Sequence, residues 1–273
     1  MPELPVRGEA VRRLELALPP ARMPFARRGR PLKRWRYLAV YGPELMLCVG
    51  DARIAGVPQR WWAVALPDGR LLERTTARRV DAGAGPSHIA VHDRDVHIDL
   101  EYEQGGDVEV VSPHRGGGYI WTRKQAGLAV RGRVRVGARE WPIDGPLGFV
   151  DESAGYHARH TSWLWSAGIG RASGGEAVAW NLVDGVHDAP EASERTLWVD
   201  GEPHEVAPQP FASDLSRVGE LRFEEWCTRE DHTRRLVIRS DYRQPFGSFS
   251  GTLPGGLELE SGYGVMEWHD VRW

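Results

Sequence analysis

Alternation of apolar and polar positions is clearest at Val96-His97-Ile98-Asp99-Leu100-Glu101-Tyr102-Glu103. Val96, Ile98, Leu100 and Tyr102 fall on one face, and His97, Asp99, Glu101 and Glu103 on the other. A period of two with one apolar face predicts a half-buried antiparallel strand. The polar turn Asp93-Arg94-Asp95 leads back to His88–His92 and predicts a hairpin. Val130, Gly132, Val134 and Val136 alternate with Arg131, Arg133 and Arg135 in the same way. Further strands are predicted over Arg34–Tyr41, Trp61–Leu66, Thr161–Ile169, Ala177–Val183, Leu221–Cys227, Arg235–Ser240 and Leu257–Tyr263. Helical spacing is scarce. Only Val11–Leu18, ended by Pro19-Pro20, reads as a short helical turn or an irregular lead-in strand. Many short strands with frequent glycine and proline turns predict an all-β sandwich or barrel.

The best break in this pattern is Trp141-Pro142-Ile143-Asp144-Gly145-Pro146. It predicts an N-terminal β-barrel-like domain over residues 1–144 and a C-terminal one over 145–273. A chain of 273 residues is long enough for two such domains and needs no disulfide or metal staple. The net charge of −3 offers no basic field to nucleic acid or anionic membrane. Only two of the 35 basic residues are lysines, Lys33 and Lys124, which we read as coding bias toward arginine. Cys48 and Cys227 are too few for a disulfide framework or a cysteine zinc site. The segment Met1–Ala10 has no apolar signal core, and no run of about 18 apolar residues occurs. The expectation is a cytoplasmic protein with no nucleic-acid partner and no membrane insertion, its oligomeric state open.

Candidate chemistry concentrates between Gly148 and Gly168. On a strand, Trp163 and Trp165 share a face with Leu164 opposite, and Asp151, Glu152, Tyr156, His157 and His160 come just before them. An aromatic wall beside titratable groups suits an apolar ligand and a proton donor. A buried core strand with a structural corner is the plainer alternative. Asp151 and Glu152 cannot both enter one cavity if they are extended; the other would anchor the corner, with Arg159 as its partner. Asn181, in mid-strand, must find hydrogen-bond partners, and His187 follows a strand end where a barrel mouth would lie. Glu194-Arg195 reads as an ion pair or loop anchor. His88, His92 and His97 are spread along a hairpin, so no metal site is expected. Arg115-Gly116-Gly117-Gly118 lacks a P-loop lysine and reads as a turn, and no nucleotide cofactor motif or Gly-x-Ser-x-Gly elbow occurs.

Four segments carry a resemblance. They are GFVDESAGYHARHTSWLWSAGIG (148–170), AVAWNLVDGVHDAPEASERTLWVDG (177–201), PLKRWRYLAVYGPELMLCVGDARIAG (31–56) and YIWTRKQAGLAVRGRVRV (119–136). In their order along the chain they resemble the bacterial family called domain of unknown function 2804, over roughly residues 30–270. That family is distantly similar to the AttH-like and carotenoid 1,2-hydratase (hydroxyneurosporene synthase) group. The resemblance implies two tandem lipocalin-like antiparallel β-barrels, among relatives that hydrate or cyclise terpenoids and polyketides. Asp151-Glu152 and Trp163-Leu164-Trp165 are the positions that match that group's acidic and Trp-x-Trp motifs. The resulting expectation is a binder of an apolar small molecule such as a terpenoid or polyketide. Its chemistry would be proton-assisted hydration, cyclisation or isomerisation without a cofactor. Asp151, Glu152 and His157 are the catalytic candidates; Tyr156, Trp163, Trp165, Asn181 and His187 are the ligand-binding ones. A non-catalytic carrier of a hydrophobic ligand and a scaffold protein are the alternatives.

Overall fold

The computed structural model describes residues 3–76, 81–84, 87–234 and 238–273. Nearly all of the regular structure is antiparallel β. The first sheet has 11 strands, and its main path runs Leu71–Thr76, Val57–Ala65, Met46–Ile54, Lys33–Tyr41, Arg139–Gly155, Gly118–Val136, Val96–Tyr102, His88–Asp93, Asp81–Ala84. Val108–His114 adds to Gly118–Val136, and Val6–Arg7 adds to Val108–His114. The sheet curls, so that Asp81–Ala84 at one end returns to Met46–Ile54. The second sheet has 8 strands in the order Glu202–Glu205, Thr196–Val199, Ala177–Asp184, His160–Ala172, Glu258–Arg272, Arg239–Thr252, Glu220–Arg234, Arg217–Val218.

The expected hairpin of His88–Asp93 with Val96–Tyr102 forms, and Asp93 belongs to its strand, paired with Val96. The helical signal resolves into a single 3-10 segment, Gly8–Arg13. Of the predicted strand Arg235–Ser240, residues 235–237 lie outside the described residues, and the observed strand starts at Arg239. The expected junction at 144/145 falls inside the strand Arg139–Gly155. Its last eight residues pair with Lys33–Tyr41 in the first sheet, and the second sheet begins at His160. Sheet membership therefore changes at residues 156–159.

Strand alternation divides the core. Leu38, Val40, Leu47, Val49, Val64 and Val150 point into the curl of the first sheet. Their neighbours Tyr37, Ala39, Tyr41, Met46, Cys48, Ala63 and Phe149 point the other way and meet Trp165, Ala167, Ala179, Phe246 and Val265 of the second sheet. Trp180, Leu182, Leu221, Phe249 and Met266 fill the second sheet's own concavity. The central strands are thus buried on both faces, as in a layered structure whose sheet faces are both covered. Between the sheets lies a packed seam.

A register shift between Ala126 and Val130 breaks the long hairpin of Gly118–Val136 with Arg139–Gly155. Before the shift Gly118–Val136 pairs with Val108–His114, and after it with Val96–Tyr102. A bulge of this kind bends a strand and re-aims its side chains. Here it lets one strand close the first barrel at one end and supply Lys124 to the seam at the other.

Candidate functional site

Strand register builds a polar cluster into the apolar seam. Lys124 and Asp151 are direct cross-strand partners on the face that carries Phe149. Their ammonium and carboxylate are 2.6 Å apart, and Glu194 approaches the same ammonium at 3.4 Å. Burial pulls Lys124 down, but Asp151 and Glu194 more than offset it and hold it above its ordinary value. Burial raises Asp151, against the pull of Lys124 and with the push of Glu194. One cation therefore faces two buried carboxyls.

Around this pair, the Trp165 indole N–H donates to Asn181 Oδ1 at 2.8 Å, and the Asn181 amide donates to the Glu194 carbonyl at 2.9 Å. Lys124 Nζ lies 5.7 Å from the Trp165 ring centroid, within cation–π range. His187 enters from the turn after Ala177–Asp184, held in a left-handed conformation at φ 54°. Such a conformation is uncommon outside glycine and marks a local constraint. It buries the ring, whose Nδ1 is 2.9 Å from Ser112 Oγ. Burial, with Lys124 adding, pushes His187 down to about 3, so its imidazole is neutral at pH 7.

Further along the seam sits a residue that the sequence reading did not select. Glu267 is the cross-strand partner of Trp165, on the same face as Val265 and His269. It accepts hydrogen bonds from Trp163 Nε1 and Gln244 Nε2, each at 2.8 Å. The His269 ring packs 4.4 Å from Trp163 and 5.1 Å from Tyr242. Burial raises Glu267 to about 7, with hydrogen bonds from Trp163, Tyr242 and Gln244 opposing and the charge of Asp151 adding. Its signal was a single carboxylate among apolar and aromatic positions, Val265-x-Glu267-x-His269, just past the predicted end of the strand at Tyr263.

Glu267 should therefore make stability depend on pH. Its folded value is about 7 against an ordinary 4.5. Below 4.5 the proton is bound in both states and the folded state is favoured in full. As the pH rises through 7 that contribution is lost, a change of about 3 kcal/mol at 1.36 kcal/mol per unit. Glu267→Gln removes the titration. Its cost from altered hydrogen bonding is pH-independent, so the stability difference between parent and variant should shift in the variant's favour by a few kcal/mol from pH 5 to pH 8.5. Denaturant unfolding at the two pH values measures this. A pH-independent difference would place the Glu267 carboxyl in water.

The other expected residues separate. Trp163 and Trp165 share the seam face, Trp165 buried and Trp163 half-buried, with Leu164 opposite against the second sheet's own core. Asp151, Asn181 and His187 join them. Glu152 points away from the seam, between Arg123 at 2.5 Å and Arg36 at 3.4 Å, because its register partners carry those arginines on the opposite face. Its partners are these arginines in place of Arg159, whose carbonyl accepts the Trp273 amide. Tyr156 is fully buried under the N-terminal segment and donates to the Pro24 carbonyl at 2.8 Å. His157 sits apart from Asp151, against Trp35 and His114. Arg195 is buried and donates to the carbonyls of Ala189 and Val206, ordering the loop that carries His187 and Glu194.

Two pockets are lined by residues other than this cluster's carboxyls. One, of about 50 Å³, opens at the seam between Ala126, Ile169, Ala179 and Trp198. The other is a surface cleft of about 410 Å³ on the first sheet, lined by Ser87, His88, Glu101, Tyr102, Glu103, Ala129 and Arg131. No helix among the described residues is long and apolar enough to cross a membrane.

Among solved structures, an AttH-like protein from Nitrosomonas europaea aligns with a TM-score of 0.50 and 14% identity over 93% of this chain and 98% of that one. This likeness extends to the fold. Kievitone hydratase from Nectria haematococca aligns at a TM-score of 0.44 and 9% identity, covering 86% and 88% of the two chains. CghA aligns at 0.40 and 12% identity, covering 95% of each. No curated protein sequence matches. The sequence profile of the family described as domain of unknown function (DUF2804) matches residues 76–273, well over half of the chain. The chain belongs to that family.

Proposed function

We propose that the chain binds a largely apolar small molecule, of terpenoid or polyketide type, at the seam and transfers a proton to it without a cofactor, with Glu267 as the acid. The observation that supports this is the Glu267 carboxyl, buried opposite Trp165 and held by the N–H groups of Trp163 and Gln244. A carboxyl that titrates near neutrality is half protonated at working pH and able both to give and to take back a proton. In a hydration, the proton passes from Glu267 to an alkene carbon. Water adds to the cation that results, and the proton it sheds returns to the carboxylate. Positive charge developing between Trp163 and Trp165 would meet two indole faces. Asp151, paired to Lys124, and neutral His187 would orient water or a ligand oxygen. Cyclisation and isomerisation use the same first proton transfer.

The seam's packing favours a second reading. Its cavity of about 50 Å³ is well below the roughly 300–1,000 Å³ of ordinary ligand sites, so a ligand must part side chains to enter. In a scaffold, the same polar network would fix one register of the two sheets. Native mass spectrometry with terpenoid and polyketide mixtures separates the readings. Retention of a ligand, followed by a 10²- to 10⁴-fold loss of turnover in Glu267→Gln with the ligand still bound, is the expected result. A parent protein that retains nothing is a scaffold. One that binds without turnover is a carrier. Unchanged turnover in Glu267→Gln rejects the assigned acid.

A further inference from the structure

The two lysines of this arginine-rich chain are both buried, and they differ in one respect. Lys124 faces two carboxyls. Lys33 opens the strand Lys33–Tyr41 and is 1% exposed, and its ammonium has no hydrogen bond or ion pair among the described residues. Its ammonium lies 4.7 Å from the centroid of the Trp273 ring. His157, 2% exposed, stacks in the same cluster, 5.1 Å from Trp35, 5.7 Å from His114 and 6.4 Å from Trp273. Three ring nitrogens here are buried without a partner: His157 Nδ1, His114 Nε2 and Trp273 Nε1.

The cluster's electrostatics have one sign. Arg30 crosses the turn Arg115–Gly118 and donates to the Arg115 carbonyl. Glycine suits that turn: Gly116 and Gly117 both have φ 75°, where an L side chain is strained. Burial and then Arg30 push Lys33 down to about 8. Burial, Arg30 and Lys33 push His114 down to about 4, and burial with Lys33 holds His157 well below its ordinary value. Both imidazoles are neutral at pH 7. An ammonium taken out of water with no anion beside it is costly, and an acceptor placed among these groups would relieve it.

We propose that Lys33, Trp273 and His157 form a binding site for the carboxylate of an apolar carboxylic acid. The Lys33 ammonium supplies the cation that a monoanion requires, and the Arg30 guanidinium adds to the positive field. The indole N–H and an imidazole N–H supply further donors to its two oxygens, and Trp35 and Trp273 flank an apolar chain. The site rests on the placement of Lys33, Trp273 and His157 and not on the function proposed above.

Calorimetric titration of the full chain with decanoate and with decanol, which share an apolar tail, tests the site. Decanoate should bind about tenfold or more tightly than decanol, since one charge-assisted contact distinguishes them. It should also shift the His157 ring resonances. In Lys33→Met the two affinities should converge, and the unliganded variant should melt higher than the parent because an unpaired buried charge is gone. Equal affinities in the parent, no binding of either, or decanoate affinity retained in Lys33→Met would overturn the proposal. The comparison within the parent protein needs no variant to fold. Because neither probe has a carbon–carbon double bond to protonate, its failure leaves the Glu267 experiment standing, and failure of that experiment leaves this one.

Discussion

Replacing Lys124 by methionine is expected to destabilise the protein by about 3–5 kcal/mol at neutral pH, the usual cost of breaking a buried ion pair by removing one partner. The side chain that arrives is of similar length and apolar, so lost packing is a small part of the effect. The larger part is what remains. Asp151 and Glu194 would face each other in the seam with no cation, each repelling the other's ionised form. Two carboxyls in that situation have folded-state pKa values above their unfolded ones. The folded state then binds more protons than the unfolded, so stability should recover as the pH falls. The variant's deficit should accordingly shrink between pH 7 and pH 4.5. Adding Asp151→Asn and Glu194→Gln should remove most of it at neutral pH, because the group left behind is then uncharged. Denaturant unfolding of parent, single and triple variants measures all three. A neutral-pH loss below about 1 kcal/mol would mean that Lys124 is solvated, as exposed pairs are.

The same residues explain how far the sequence could be read. The hairpin His88–Asp93 with Val96–Tyr102 was legible because one of its faces meets solvent, so His97, Asp99 and Glu101 alternate visibly with the core. Met46–Ile54 gave no such alternation. Met46 and Cys48 face the seam while Leu47 and Val49 face the first barrel, so the strand's first four residues are apolar without a break. Trp141–Pro146 reads as a junction because Pro142, Gly145 and Pro146 look like punctuation; in the fold all three lie within the strand Arg139–Gly155, with a bulge opposite Gly145 and Pro146. The seam itself depends on which strands of two sheets meet, and no local spacing carries that. Asp151 and Trp165 were legible as chemistry next to an aromatic strand. Lys124, Glu194 and Glu267 come from three distant segments, and only strand register and the loop that carries Glu194 unite them. Both lysines of this arginine-rich chain are buried, and of the arginines Arg195 and Arg229 are buried with them.

Trp165→Ala should be of similar size, about 3–5 kcal/mol, the range for truncating a large buried aromatic. Its ring lies edge-on to Tyr37 at 5.7 Å and to Phe149 at 5.9 Å, both on the first sheet, while its own strand belongs to the second. The cavity left behind would therefore open between sheets. Trp165→Phe separates volume from hydrogen bonding. It keeps most of the packing but strands the buried Asn181 Oδ1, a loss of about 1–3 kcal/mol. Trp163→Ala should cost less than Trp165→Ala, since Trp163 is only half-buried. Where the loss is felt matters more than its size. If the seam couples the two sheets into one cooperative unit, Trp165→Ala should lower amide protection in Lys33–Tyr41 and in Glu258–Arg272 by the same free energy. Hydrogen exchange on the two strands measures this directly. A loss confined to the second sheet would show that each barrel is held by its own interior, and that the polar cluster at the seam is free to open for a ligand without unfolding either one.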